Sequence, residues 1–565
     1  MKSYINKTET QIVKMKMCII EKDRKISYSI KILLDVMGLN SLVKENERIE
    51  LEKFKKENIN FLIMNASHID NDNKNDLAKF AKDGGKIIFY GMPNNNLLKE
   101  LFDIGIVNKE KTDAYGYIEK NFIDYLEENK YYNERKIPFC FEASLDWKNS
   151  TKFGKLLHNS DELAIAYIGK SGSSNNVAYL LPDVFGAAYS LLTDQNDSYR
   201  EGIFKRQFPI DSLLYVYIKI ILAVIENLSR DITILKYFWP NKNLSALTLT
   251  HDIDTLYDIT DGINAYRTLE KKFGVISAWN FRPGDRYEIP KELINGLMSD
   301  GNEIGLHSIN ESIKSLPEFK RQKKFIENYT DQEILGVRSH ALNREPIITQ
   351  EIAHEAGMLY DSSIPDTDNC VPNQQFKGNT IFFPYQLYFT KSSPAKNLLI
   401  LPLTIHDWWY VTGNKWEENK IMQFYKDKTI YIRDRNGLNV VLFHAADYMS
   451  GKDRLWMYEQ YLDYIKKLPR LWLAKPKEIA LWARYRDNLE IEYTFDNNDL
   501  KIQVRDKIEL PEGEFIDTIS LLIRCNQDLN KLSVYYNQSA MDFELEKIKK
   551  NKTLLHIRIN RKQID

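Results

Sequence analysis

The run Leu247-Thr248-Leu249-Thr250-His251-Asp252-Ile253-Asp254 is an apolar, β-type stretch that ends abruptly in His-Asp-x-Asp. Alternate side chains of an extended chain share a face, so Asp252 and Asp254 point one way at the end of this strand and His251 points the other. Two carboxylates in one site repel each other unless a cation sits between them or one carboxyl holds a proton. Those two arrangements are the ones used in metal-assisted and in acid/base chemistry. An acidic turn or helix cap is the simpler reading of Asp-x-Asp by itself, and the sequence around it decides between them.

Downstream of this run, strand and helix patterns alternate regularly. Strand patterns end near Thr250, Phe281, Leu306, Arg338, Tyr360, Thr404 and Phe443, and helical periodicity fills the intervals, as in Pro290 to Met298 and Ile348 to Ala356. Such a series of β/α units predicts a closed or nearly closed barrel, with its chemistry at the C-terminal strand ends. The histidines follow that rule: of nine in the chain, His251, His307, His340, His406 and His444 fall at or just past a strand end. One histidine there is readily a satisfied core residue, whereas five on one rim are hard to explain by packing. His251, facing away from Asp252, and His354, on a helix pattern, are read as structural.

Upstream, Met15 to Ile20 reads as a strand, Ser27 to Met37 as an amphipathic helix, Ile59 to Met64 as a strand and Asn75 to Lys82 as a helix. Lys86 to Tyr90 follows as a strand after the Gly84-Gly85 stop, which makes an α/β alternation with a parallel sheet. His68 reads as a surface loop residue. Phe139 to Asp146, Leu163 to Ile168 and Asn176 to Leu181 add strands, the last two joined as a hairpin by the Gly/Ser turn from Gly169 to Ser174. Ile210 to Leu228 is a long helix, apolar on most sides, expected to pack between domains. After Arg486 the pattern shifts to short alternating strands with Asn, Asp and Gly turns, which reads as a small β-sandwich. The expected organisation is an N-terminal α/β domain over residues 1–235, a (β/α) barrel over 236–487 and a C-terminal β-sandwich over 488–565.

At 565 residues the chain exceeds one ordinary hydrophobic core, which agrees with three domains. Its 78 Lys and Arg nearly cancel its 79 Asp and Glu, which argues against nucleic acid or an anionic membrane surface as partner. The segment Met1 to Lys16 lacks the apolar core and cleavage site of a secretory signal, and the longest apolar run, Leu213 to Ile225, contains Lys219 and is too short to span a bilayer. No transmembrane segment and a cytoplasmic location are therefore expected. Cys18, Cys140, Cys370 and Cys525 show no Cys-x-x-Cys spacing and read as buried, reduced thiols.

Two resemblances extend this reading. The stretch FLIMNASHIDNDNKNDLAKFAKDGGKIIFYG in the N-terminal domain resembles the core of glutamine-amidotransferase-like domains. Those enzymes need a nucleophilic Cys at a strand-to-helix elbow, and the sequence has none there, so the domain is expected to bind or to support rather than to catalyse. The ordered set Thr250-His251-Asp252-Ile253-Asp254, Gly305-Leu306-His307-Ser308, Gly336-Val337-Arg338-Ser339-His340, Tyr360-Asp361-Ser362-Ser363 and Leu442-Phe443-His444 resembles the polysaccharide deacetylases, carbohydrate esterase family 4. The segment RLWLAKPKEIALWARYR is similar to that family's last strand and helix.

The second resemblance implies a distorted (β/α)7 barrel, a divalent metal, most often Zn2+, and hydrolysis of the N-acetyl group of an amino sugar. It implies Asp252 as general base, Asp254 and His307 as metal ligands, His444 as the acid that protonates the leaving amine, and Arg338 as the residue that orients or tunes Asp252. The family's second motif carries another histidine four residues after the first, where this chain has Glu311. Glu311 is thus one candidate for third ligand, and His340 is the better one, because it stands at the next strand end and leaves only one carboxylate to dampen the metal's Lewis acidity. Trp408 and Trp409, after His406-Asp407, offer an apolar face for a sugar ring, with core packing as the alternative. The expected substrate is an N-acetylated saccharide, as polymer or as a lipid-linked or nucleotide-linked precursor. The competing expectation is a degenerate barrel that binds glycan without turnover.

Overall fold

A computed structural model describes residues 15–44, 51–93, 96–106, 112–117, 137–141, 145–148, 150–153, 155–158, 161–171, 174–193, 213–229, 232–284, 287–309, 312–345, 347–365, 381–387, 398–413, 415–451, 453–509 and 516–559. The strand Ser245–Ile253 is buried at every position, its polar Thr, His and Asp side chains included, as befits a parallel strand covered on both faces. It lies within a ten-stranded curled sheet. On one side follow Ser277–Phe281, Glu303–Ser308, Gly336–Ser339, Tyr360–Asp361 and Leu399–Ile400, and on the other Leu438–Leu442 and then Ile405–His406. All of these pairings are parallel; Tyr385–Gln386 adds an antiparallel edge. Leu471–Leu473 pairs with the first residues of Ser245–Ile253, beside the place taken further along by Ser277–Phe281.

One continuous run joins the two sides of the curl. The Leu399 N–H donates to the Leu359 carbonyl, the Leu403 N–H to that of Ile364, and the Thr404 N–H to that of Val440, at 3.0, 3.0 and 2.9 Å. Helices Ile263–Phe273, Lys291–Ser299, Leu316–Thr330, Ile348–Glu355, Glu418–Arg433 and Leu455–Lys466 connect the strands and turn their apolar stripes inward. Consecutive parallel strands need such crossovers, and the arrangement brings the C-terminal strand ends to one rim.

The N-terminal region forms a seven-stranded sheet in the order Asn40–Lys44, Lys16–Ile20, Phe61–Asn65, Lys86–Tyr90, Ser174–Leu180, Ala166–Ser171, Ser150–Phe153. The first five strands are parallel, and the Ala166–Ser171 and Ser174–Leu180 pair is the expected hairpin. His68 is not the surface residue expected from sequence. Its Nε2 lies 2.8 Å from Glu21, a buried carboxylate that also accepts from Asn65 and Tyr90, so the imidazole is drawn inward by an anion from another strand end. Those contacts hold Glu21 down to about 2 against the opposing effect of burial. Cys18 is buried within its strand and Cys525 is partly buried; Cys370 lies outside the described residues, as does the side chain of Cys140.

The last region contains two four-stranded sheets over one core that includes Leu500, Ile502, Ile519, Leu521, Leu555 and Ile557. Ile232–Lys236, placed in the N-terminal domain by the sequence reading, is an edge strand here, paired antiparallel with Thr518–Cys525. Helix Leu213–Ser229 packs between the N-terminal sheet and the curled sheet, where the Tyr215 ring meets Phe382 and Phe383 at 5.4 and 6.2 Å. Arg486, at the end of helix Pro476–Asn488, joins the regions by donating to the carbonyls of Asp35, Val36, Lys236 and Tyr237. A guanidinium thus satisfies the C-terminal carbonyls of helix Arg24–Val36. Among the described residues no helix is long and apolar enough to cross a membrane.

Candidate active site

Strand register assembles the site around Asp252. Asp252 is level with Asn280 on the neighbouring strand, Asn280 with Gly305, and His307 with Arg338. The Asn280 amide donates to Asp252 Oδ1 at 2.8 Å. Gly305 makes room for it, because a Cβ there would lie 2.2 Å from Asn280 Oδ1. Arg338, fully buried, donates from Nη1 to Thr250 Oγ1 at 2.7 Å and to Asp252 Oδ1 at 3.4 Å, while Nε reaches the Ser362 carbonyl and Nη2 the Ser362 hydroxyl. Burial by itself would raise the Asp252 carboxyl, but His307, the Arg338 guanidinium and His444 outweigh it and hold the group below its usual range.

Asp254 leaves the strand and enters a tight turn. Asp258 fixes that turn: its Oδ2 accepts the backbone N–H groups of Asp254 and Thr255 at 2.6 and 2.7 Å. The adjoining segment reaches Gly262, where a Cβ would lie 1.8 Å from the Ala445 carbonyl oxygen, so the chain after His444 packs directly on glycine backbone. Three imidazoles and a guanidinium surround the Asp254 carboxylate. His307 Nε2 is 3.3 Å and His340 Nε2 3.6 Å from Oδ1, His444 Nε2 is 3.8 Å from Oδ2, and Arg282 Nη1 is 3.8 Å from Oδ1. Burial would raise this carboxyl too, but His307, His444 and His340 outweigh it and hold the group well below the carboxylate range. Directly after His340 the backbone is left-handed at Ala341 and Leu342, φ 54° and 52°, a conformation that residues other than glycine adopt at a cost.

The atoms between Asp254 and His307 test whether a cation fits. His307 Nδ1 is 2.9 Å from the Arg338 carbonyl, which requires a proton on Nδ1 and leaves the lone pair of the neutral ring on Nε2. Nε2 faces Asp254 Oδ1, and both atoms are buried with no hydrogen-bond partner among the described residues. Two lone-pair atoms at that distance repel unless a positive charge lies between or beside them. A proton meets that demand in part, and the two carboxylates accordingly push His307 upward against the effect of its burial. A divalent ion meets it as well: donors around one tetrahedral zinc lie about 3.3 to 3.5 Å apart, since each is about 2.0 to 2.1 Å from the metal. Among the described residues no group of three or more His, Cys, Asp or Glu side chains stands close enough together to hold a metal ion as placed. The Asp254 Oδ1 to His307 Nε2 separation of 3.3 Å falls within that spacing and the Asp254 Oδ1 to His340 Nε2 separation of 3.6 Å falls just outside it, and the carbonyl behind His307 is the kind of outer partner a metal-bound histidine uses.

Across the site, His444 is clamped by Asp407, which accepts the ring Nδ1–H on Oδ1 and the backbone N–H on Oδ2, both at 2.6 Å. Burial would lower His444, but Asp407, together with Asp252 and Asp254, raises it to about 10. His406 lies alongside, ring centroids 5.7 Å apart, and burial together with the charge on His444 pushes it down to about 4. Burial and the neighbouring His307 likewise lower His340. The indole of Trp408 is 38% exposed next to Asp407, and Leu256, two residues past Asp254, is 59% exposed.

The structure therefore brings Asp252, Asp254, His307, Arg338, His340 and His444 to one rim. His251 sits on the opposite face, in the layer between sheet and helices. Glu311 and the side chain of Trp409 lie outside the described residues. Asn280, Asp258 and Asp407 were not singled out by sequence reasoning. Asp407 carried a usable signal, a carboxylate directly after a strand-end histidine, whereas Asn280 and Asp258 act through register and turn geometry.

No protein-family model matches the sequence, and no curated protein matches it. Among solved structures, the chain is similar to a putative polysaccharide deacetylase from Mycobacterium smegmatis, with 18% identity over 44% of this chain and 93% of that one, TM-score 0.37. Agd3, described as a novel carbohydrate deacetylase, is matched over 97% of this chain and 99% of its own at 10% identity, TM-score 0.40. BA3943 of Bacillus anthracis, described as a CE4 family pseudoenzyme, is matched over 44% of this chain and 68% of its own at 12% identity, TM-score 0.27. The chain is thus similar in structure, at low sequence identity, to polysaccharide deacetylases.

Proposed function

We propose that the protein is a metal-dependent hydrolase that removes an N-acetyl group from an amino sugar, with its site on the rim of a distorted (β/α)7 barrel. One observation carries the reading: the buried face-to-face approach of Asp254 Oδ1 and His307 Nε2, with His340 beside them and Asp252 and His444 on either side. Asp254, His307 and His340 would hold a divalent cation such as zinc. Such an ion supplies Lewis acidity toward the amide carbonyl and the attacking water.

The chain's own residues supply the proton transfers. Asn280 and Arg338 both engage Asp252 Oδ1, so Oδ2 carries the basic lone pairs not already engaged and takes the proton of the attacking water. His444 is doubly protonated because Asp407 holds Nδ1–H, and it delivers its Nε2 proton to the departing nitrogen. An amine is a poor leaving group until protonated, so a strongly raised His444 suits that role. The resemblance of the ordered motifs to polysaccharide deacetylases implies a sugar substrate, and the exposed Trp408 and Leu256 offer apolar surface for the face of a pyranose ring.

The test is acetate release from N-acetylglucosamine oligomers and from lipid-linked and nucleotide-linked N-acetyl sugars, with chelator and added zinc. Zinc-restorable release supports the proposal, and its absence on all substrates with zinc bound overturns it. The replacement of the usual second-motif histidine by Glu311 favours a second reading, a barrel that binds glycan without turnover. Metal analysis separates the two, because a degenerate site has no reason to retain stoichiometric zinc.

A further inference from the structure

His251 contacts none of the groups assigned to chemistry, yet every polar atom of its ring is committed. Nδ1 lies 2.7 Å from the Phe443 carbonyl, and Nε2 lies 2.9 Å from Glu270 Oε1, which also accepts from the Tyr458 hydroxyl at 2.8 Å. The ring is stacked against Trp279 and Tyr266, centroids 4.1 and 5.0 Å away, and is fully buried. Both nitrogens face acceptors.

The Phe443 carbonyl matters because of the residue that follows it. The strand Leu438–Leu442 ends one residue earlier, and the Phe443 N–H still donates to the Thr250 carbonyl at 3.0 Å. Among the described residues no backbone N–H donates to the Phe443 carbonyl, and His251 supplies a side-chain donor. Both backbone polar groups of Phe443 are thus tied to Thr250 and His251, the two residues just before Asp252. We infer that His251, clamped by Glu270 and Tyr458, is a positioning residue that sets His444 relative to Asp252 and Asp254, which rests on the acid and base roles proposed above. A misplacement of about 1 Å costs catalysis on the order of 100-fold, so a donor that fixes this peptide acts on turnover and not on ground-state affinity.

The test compares His251→Asn with His251→Phe in the zinc-loaded full chain. Asn keeps a donor nitrogen near the position of Nδ1 and loses the stacked ring, whereas Phe keeps the ring and loses the donor. Positioning predicts kcat at least about 10-fold higher for Asn than for Phe, with KM within about twofold and equal zinc content. A packing role predicts the reverse order, and that result overturns the inference. Should His251→Asn fail to fold, the double variant with Glu270→Leu, which removes the stranded carboxylate, carries the same comparison. If the wild type releases no acetate, the proposed function has failed independently. Crystal structures then decide: His444 displaced from Asp407 in His251→Phe supports positioning, and an unmoved His444 overturns it.

Discussion

Asp407 grips His444 with both carboxylate oxygens, one on the ring Nδ1–H and one on the backbone N–H, each at 2.6 Å. The same contact orients the imidazole and makes it a stronger base. Because its folded value is raised to about 10, His444 stays protonated across the neutral range, so activity is expected to hold into mildly alkaline pH and to fall as pH passes about 10. The linked stability has the same sign: it is fully present below the unfolded histidine value of about 6.5 and is lost as pH rises through the folded value. Asp407→Asn is expected to move the alkaline limb of the kcat profile toward neutrality and to lower kcat at pH 9 by about 100-fold, the scale of general-acid catalysis. An unchanged alkaline limb in that variant would remove Asp407 from the account.

The two carboxylates of His-Asp-x-Asp have different surroundings, and their isosteric amides should separate. Asp252 is engaged at Oδ1 by Asn280 and Arg338, whereas Asp254 is the carboxylate around which the imidazoles gather. Asp252→Asn is expected to keep zinc and lose turnover by at least about 1000-fold. Asp254→Asn is expected to lose zinc on dialysis, read by metal analysis at matched protein concentration. Loss of zinc from the first and retention by the second would exchange the two roles.

Much of the rim was legible because its groups stand at strand ends in fixed order. Asp252, Asp254, His307, Arg338, His340 and His444 all follow apolar runs, and parallel strands deliver such positions to one side. Alternation also separated His251 from Asp252 correctly, although its partners Glu270 and Tyr458 come from two helices that no local pattern connects. Asn280 supports Asp252 only through interstrand register, and a register that includes the gap left by Gly305 is a tertiary fact. His68 was misread for the same reason, since its partner Glu21 lies 47 residues earlier and meets it across adjacent strand ends. Ile232–Lys236 looked like a continuation of the N-terminal domain because its pairing strand, Thr518–Cys525, comes after the entire curled sheet.

Arg486 carries a prediction about how the regions hold together. It is buried, it donates to four backbone carbonyls on two segments, Asp35–Val36 and Lys236–Tyr237, and Asp487 lies 2.9 Å away. Arg486→Leu leaves those carbonyls and the Asp487 carboxylate without their cation, a change that typically costs about 3 to 5 kcal/mol. Equilibrium denaturation is expected to show the loss, and an early separate transition of the N-terminal sheet would locate it at the helix Arg24–Val36 contact. A variant as stable as the wild type would mean that this hub contributes orientation and not stability.

The third ligand is the most exposed of the site predictions. His340 Nε2 lies 3.6 Å from the same Asp254 oxygen that His307 approaches at 3.3 Å, and the His340 ring meets that of His307 edge-on at 5.4 Å. Burial and the neighbouring His307 lower its proton affinity, the direction that favours the neutral imidazole a metal requires. Glu311 follows His307 by four residues, and a carboxylate there would add a second negative charge to the ligand set and weaken the ion's Lewis acidity. His340→Ala is therefore expected to strip zinc under dialysis that leaves the wild type loaded. Glu311→Gln is expected to keep it, or to weaken it by no more than the roughly 10- to 100-fold typical of an outer-shell group. Zinc retained by His340→Ala and lost by Glu311→Gln would make the ligand set Asp-His-Glu, and the argument from neighbouring strand ends would fail at its most specific point.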